Sequence, residues 1–256
     1  MSTDTPTPTE PLRALREDWE RALAVVAHPD DMEFGGSAAV SRWTRQGKQV
    51  AYLLLTSGEA GIDGMHPDEA RVVREAEQRA SCAVVGVSDV EFAGLDDGVL
   101  EYGLPMRRVI AEAVRRHRPD IVITGNFHDS WGPGSAPNQA DHIATGRAVL
   151  DAVRDAGNRW VFHDQLTDGL EPWGGVSEVW VAASPFSRHG VDVTETFDDG
   201  VASLAEHRAY IEGLGWADFD PEEFLGGFAR AAGERLGVGY AVAFERVSLA
   251  WGDAED

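Results

Sequence analysis

Short apolar runs recur along this chain, separated by stretches whose apolar residues repeat every three or four positions. Strand-like runs cover residues 22–26, 49–56, 87–92, 120–125, 178–183 and 240–249, that at 49–56 continuous, and a shorter one covers 160–162. Continuous apolar runs bounded by turn residues are expected of strands buried on both faces, as in a parallel sheet. Helical periodicity marks 35–46, 66–86, 104–118, 139–156 and 196–214. Gly47 follows the first of these as a C-cap and Gly86 closes the second, which His66-Pro67-Asp68-Glu69 opens. Strand and helix alternate without an internal repeat or linker. One α/β domain with a mostly parallel sheet is therefore expected over 21–256.

The ends and the loops read differently. Residues 1–11 carry three prolines and four threonines, with no basic start and no apolar core. They are expected to be a disordered tail rather than a signal peptide, and 12–21 a short charged surface helix. Residues 126–138 form a long polar loop holding His128, Asp129 and Trp131, and loops of that length in a compact domain are usually functional.

Charge narrows the partners. With 22 basic and 44 acidic residues the net charge is −22, which repels nucleic acid and anionic membrane surfaces. No apolar stretch reaches the length of a membrane span. The single cysteine, Cys82, excludes an internal disulfide and a thiolate metal cluster, and its apolar helical setting makes it core filler. A cytoplasmic protein is the expectation.

The candidate chemistry concentrates in Ala27-His28-Pro29-Asp30-Asp31-Met32-Glu33, directly after the first apolar run. A strand followed by a tight turn and a helix would put these groups at the carboxyl edge of the sheet, where open α/β folds hold ligands. His28 and Asp31 are three apart across the rigid Pro29, so one turn can aim both at a point. Imidazole plus carboxylate suits zinc, and the spare carboxylate of Asp30 suits a general base. Helix capping would account for one of these acids, not for the whole cluster. His142 follows the long loop at the start of a helix, on the same expected edge. Two histidines and one aspartate leave a metal with an open position, the pattern of catalytic zinc. Asp141 could orient a histidine or cap the helix. His117, His163 and His189 carry no such context, and His207 lies mid-helix.

With these residues in place, the chain resembles the PIG-L / LmbE-like family of zinc-dependent N-deacetylases. The resemblance rests on the 27–33 motif, Thr56-Ser57-Gly58-Glu59-Ala60-Gly61, Arg74-Glu75-Ala76-Glu77, Gly94-Leu95-Asp96-Asp97-Gly98 and Asn138-Gln139-Ala140-Asp141-His142. Val191-Asp192-Val193-Thr194 and the helix with His207 extend it. It implies a Rossmann-like three-layer fold, His28, Asp31 and His142 as metal ligands, and Asp30 as general base. Asp141 joins the catalytic group. Many members carry a histidine where this chain has Gln139, whose amide can donate a hydrogen bond to an oxyanion but supplies no charge or proton. Glu33, Glu59, Arg74 and Asp97 resemble pocket positions, and His128 is a substitute for the missing histidine.

The implied activity is removal of an N-acetyl group from an amino sugar such as N-acetylglucosamine, or from a sugar-bearing metabolite. Zn2+ is the implied cofactor, with other divalent ions compatible. The implied partner is a small N-acylated sugar, and a homo-oligomer is compatible with it. Two alternatives stay open: an amidase for a larger acyl or thiol-conjugate amide, and a metal-binding relative without catalysis. A nucleotide-binding module is weakened by the missing Gly-x-Gly-x-x-Gly and by acids where phosphate would approach.

Overall fold

Alternation within each apolar run decides the architecture. In the computed structural model, which describes residues 10–216 and 218–249, successive residues of one strand feed two different cores. Ala22, Ala24 and Val26 point into one, while Leu23, Val25 and Ala27 point into the other. A strand buried on both faces has to be apolar at every position, which explains the continuous runs.

The strands are β1 (Arg13–Ala14), β2 (Arg21–Val26), β3 (Gln49–Leu54), β4 (Asp89–Phe92), β5 (Ile121–Gly125), β6 (Glu178–Ala182), β7 (His189–Asp192) and β8 (Ala241–Ser248). They form one sheet in the order β1-β7-β8-β6-β5-β2-β3-β4. Every pairing is parallel except those of β8 with β6 and β7. The helices α1 (Ser37–Arg45) and α2 (Pro67–Val84) pack Trp43 and Cys82 into the first core. On the opposite face, α3 (Leu104–His117) and α4 (Ala140–Gly157) bury Ile110, Val114, Ala148 and Val149. The result is the expected three-layer, mostly parallel α/β fold. Among the described residues, no helix is long and apolar enough to cross a membrane.

Topology then locates the site. From β2 the chain builds outward through β3 to β4, then returns to β5 on the other side of β2. The order therefore reverses between β2 and β5, and the carboxyl end of such a switch point is where α/β sheets leave a crevice. The 27–33 motif leaves β2 there, and the loop leading to His142 leaves β5.

Several local expectations are corrected. Residues 12–21 are not a surface helix: Arg13 and Ala14 pair with His189 and Gly190 as an edge strand. The segment is charged, but its Leu12, Leu15 and Trp19 are buried, and the Trp19 ring lies 5.3 Å from Trp43 and 5.8 Å from Trp180. Residues 1–9 of the expected tail lie outside the described residues.

The run at 160–162 is a turn, not a strand. It wraps around the buried Arg115 guanidinium, which donates to the carbonyls of Asp155, Ala156, Asn158, Val161 and Phe162. The helix expected over 196–214 is two, α6 (Phe197–Leu204) and α7 (Arg208–Gly213), after the short α5 (Asp164–Thr167). The restart is stabilised from outside, because the Glu77 carboxylate accepts the N–H of Ala209 at 2.6 Å. α8 (Pro221–Leu236) went unpredicted because its three glycines weaken the helical signal. One of them is needed: a Cβ on Gly233 would stand 2.7 Å from the Gly239 carbonyl oxygen.

Candidate metal centre

The turn after β2 begins because Pro29 has no N–H to extend a ladder and Asp30 takes a left-handed φ of +88°. Asp31 then folds back over the strand end. Its Oδ2 accepts the backbone N–H groups of Ala27 and His28, each at 3.0 Å. That oxygen is saturated, and Oδ1 is the one left to act.

His142 is prepared from the other side of the crevice. Asn138 pins the long loop by donating from Nδ2 to the carbonyls of Asn126 and His128 at 2.7 and 3.0 Å. Its Oδ1 lies 2.9 Å from Nδ1 of His142, so the proton sits on Nδ1 and the Nε2 lone pair is free. That Nε2 lies 3.1 Å from Asp31 Oδ1.

His28 is held in the reverse sense. Its Nε2 lies 3.1 Å from Asp97 Oδ1 and 3.3 Å from Asp141 Oδ2, which places the proton on Nε2 and bares Nδ1. Asp141 is fixed for this by the N–H groups of Gly98 at 2.8 Å and Leu100 at 3.1 Å. One donor atom each from His28, Asp31 and His142 lies within 4.8 Å of the others. Two imidazole lone pairs and a carboxylate oxygen on one point form a donor set that fits a divalent metal of the zinc type. Asp97 and Asp141 also cluster with His28, but their oxygens already accept backbone N–H groups and the imidazole proton. They therefore fit the part of carboxylates that orient a ligand histidine.

The charges agree with a cation site. Burial pulls the His28 pKa down, but hydrogen bonds to Asp141, Asp31 and Asp97 outweigh it and hold the pKa well above the ordinary value. His142 is raised too, because the attraction of Asp31 overcomes its burial. Asp31 is lowered, since His142 and His28 outweigh desolvation. Asp30 behaves in the opposite way: burial pushes it up to about 6 despite the Arg74 guanidinium beside it. Adjacent carboxylates are thus driven apart, one firmly anionic and one ready to take a proton near neutral pH.

Family comparison agrees with this constellation. The model of the PIG-L family, described as GlcNAc-PI de-N-acetylase, matches residues 23–153, from β2 through α4. This chain belongs to the PIG-L family. It is 27% identical over 226 residues to a diacetylchitobiose deacetylase of Thermococcus kodakarensis, covering 88% of this chain and 82% of that protein. It is 33% identical over 138 residues to a probable N-acetyl-α-D-glucosaminyl L-malate deacetylase of Bacillus anthracis, covering 51% of this chain and 58% of that one. A solved N,N'-diacetylchitobiose deacetylase from Pyrococcus horikoshii superposes with a TM-score of 0.81 at 23% identity, over 96% of this chain and 88% of that chain. That likeness shows a shared fold.

Within this PIG-L site, the expected residues divide. His28, Asp31, His142, Asp97 and Asp141 converge, with Asp30 next to them. Glu33 does not line a pocket: it is fully buried, and its Oε1 accepts from Gln78 and Ser81 at 3.0 and 2.8 Å. Arg74 is equally buried and turned to Asp30, with Nη2 2.8 Å from its Oδ2, rather than to solvent where a sugar would meet it. Glu59 ties turns together, accepting the N–H groups of Ser57 at 3.1 Å and Asp97 at 3.3 Å and pairing with Arg71 at 3.1 Å. The acidic and basic types expected to bind hydroxyls are used here to build the floor.

His128 is engaged with Glu245 at 2.7 Å and lines a cleft of about 390 Å³ with Phe127, Arg147 and Phe186. Gln139 is exposed as the N-cap of α4. Two residues went unassigned in the sequence reading, Asn138 and Gln78. Gln78 was detectable, since it continues the stripe of Ala70 and Arg74 along the inward face of α2 at a spacing of four.

Proposed function

We propose that this chain is a zinc-dependent N-deacetylase that removes the acetyl group from an N-acetylated amino sugar or a sugar-bearing metabolite. The observation that carries the proposal is the division of labour between neighbours: Asp31 joins His28 and His142, while Asp30 is turned aside to Arg74. The two relatives described above bear the names diacetylchitobiose deacetylase and probable N-acetyl-α-D-glucosaminyl L-malate deacetylase, which supports the substrate class.

In this reading His28, Asp31 and His142 would hold the metal, which would supply Lewis acidity toward the acetyl carbonyl and lower the pKa of water. Asp30 accepts a proton from the attacking water as the water oxygen bonds to the carbonyl carbon. The same proton passes to the amine nitrogen as the C–N bond breaks, giving acetate and a free amino sugar. Arg74, 2.8 Å away, holds the Asp30 carboxylate in place. Asp141 keeps His28 in the tautomer that presents Nδ1. The Gln139 amide, at the exposed start of α4, is a neutral donor for the developing oxyanion.

The test is amine release from N-acetylglucosamine, diacetylchitobiose and N-acetylglucosaminyl conjugates by zinc-loaded protein, beside Asp30→Asn. Wild type should release amine. The variant should retain stoichiometric zinc and lose about a hundredfold in kcat. Fully metal-loaded wild type that releases nothing from the whole panel would remove the proposal.

A further inference from the structure

One peptide unit at the centre, the link between Pro29 and Asp30, has both of its polar groups held by α2. The Pro29 carbonyl accepts from Arg74 Nη2 at 2.6 Å, and the Asp30 N–H donates to Gln78 Oε1 at 2.9 Å. Arg74 and Gln78 are four apart, so one face of one helix grips the plane at both ends. The grip falls at a left-handed turn of the backbone. Asp30 sits at φ +88°, a conformation a side chain with a Cβ tolerates only when its surroundings impose it.

The amide of Gln78 has no freedom to turn. Its Nε2 donates to Glu33 Oε1 at 3.0 Å and faces Cys82 Sγ at 3.3 Å, so a flip would oppose the carbonyl to a carboxylate and the amine to an N–H. Glu33 is steadied in turn by Ser81 at 2.8 Å, and His207 Nε2 stands 3.7 Å from its other oxygen. Gln78 is only 1% exposed, so water offers the Asp30 N–H no substitute acceptor.

We infer that Gln78 is a positioning residue for the proposed deacetylation. By locking the Pro29–Asp30 peptide plane, it keeps the Asp30 carboxylate at a fixed place relative to the metal ligand Asp31. Consecutive residues serve different ends here, and this peptide is the plane from which the Asp30 φ of +88° departs. The inference rests on the assignment of Asp30 as general base. It adds a residue that touches neither metal nor substrate.

Gln78→Met keeps the length and volume of the side chain and removes the acceptor. Expected are a loss of about ten- to a hundredfold in kcat, a KM within about twofold, and unchanged zinc content. In an Asp30→Asn background the same change should cost nothing further, because Gln78 acts through Asp30. The exchanged pair Gln78→Glu with Glu33→Gln restores an acceptor opposite the Asp30 N–H and should recover most of the loss. Wild-type kcat in a folded Gln78→Met, or losses that multiply in the Asp30→Asn background, would overturn the inference.

A readout that needs no turnover separates this from the functional proposal. Hydrogen exchange of the Asp30 amide, followed by NMR, should be at least about tenfold faster in Gln78→Met than in wild type. Unchanged exchange sinks the clamp whatever the enzyme does. An inactive wild type with accelerated exchange in the variant would keep the clamp and remove only the deacetylase reading.

Discussion

Asn138 Oδ1 and His142 Nδ1 lie 2.9 Å apart, and this contact decides which nitrogen of His142 can bind a metal. With the proton drawn to Nδ1, only Nε2 faces Asp31. The same Asn138 amide holds the loop from β5 through two carbonyls. Asn138→Ala should therefore weaken zinc by about ten- to a hundredfold, the usual cost of removing a hydrogen-bond partner behind a ligand histidine. Competition with a chromophoric chelator measures this. Wild-type affinity would show that the tautomer needs no such support.

Asp141 does for His28 what Asn138 does for His142, but with charge. Its Oδ2 lies 3.3 Å from His28 Nε2 and also accepts the Gly98 N–H at 2.8 Å. Asp141→Asn keeps the shape while withdrawing an anion from the far side of the ligand. Zinc affinity should fall about tenfold, less than in His142→Ala, where stoichiometric zinc should be lost altogether. Elemental analysis after gel filtration distinguishes the two; equal losses would make Asp141 a ligand rather than a support.

These supports mark the limit of what was legible in the chain. His28, Asp31, His142 and Asp30 were readable because a rare cluster follows a strand, and because parallel topology sends β2 and β5 to the same edge. The roles of Asn138 and Gln78 were not: the helical spacing puts Gln78 on the inward face of α2, but an amide's task is known only once its partner is seen. Glu33, Glu59 and Arg74 show the converse. Their types suit a pocket, yet nothing in a linear pattern says whether a charged side chain faces a cleft or the interior. The same ambiguity hid β1, which lies in a charged segment that suits a surface helix until its pairing with β7 is in view.

Glu17, in the segment once expected to be a surface helix, fastens it to the core. It accepts from Arg42 at 2.9 and 3.1 Å, Trp43 Nε1 at 2.9 Å and Gln46 at 3.2 Å. Burial alone would raise its pKa, but the bonds from Arg42, Gln46 and Trp43 together hold it below the ordinary 4.5. A carboxyl depressed on folding stabilises above its unfolded pKa and loses that contribution as pH falls through the folded one. Glu17→Gln should therefore cost about 1–2 kcal/mol near neutral pH, on the scale of charge-assisted hydrogen bonds. Below 4.5 the gap from wild type should begin to close. Urea titrations across that range check it; a gap independent of pH would mean that packing, not charge, fastens the segment.

The Arg74 guanidinium is cradled by glycine on the side away from Asp30. A Cβ on Gly61 would lie 2.3 Å from Arg74 Nη1, and one on Gly58, at φ +64°, would lie 2.6 Å from the same atom. Across the guanidinium, the Tyr210 ring stacks 3.8 Å from its central carbon, so Arg74 has no room to retreat. Gly61→Ala should destabilise the fold by about 1–3 kcal/mol, the range for overpacking a buried contact. It should also lower kcat beyond what stability explains, because the displaced guanidinium no longer fixes the Asp30 carboxylate. Gly64→Ala, a few residues on with open space around its Cα, is the matched control and should change neither. Equal behaviour of the two variants in denaturation and turnover would show that the turn, rather than the arginine it encloses, is what the glycine serves.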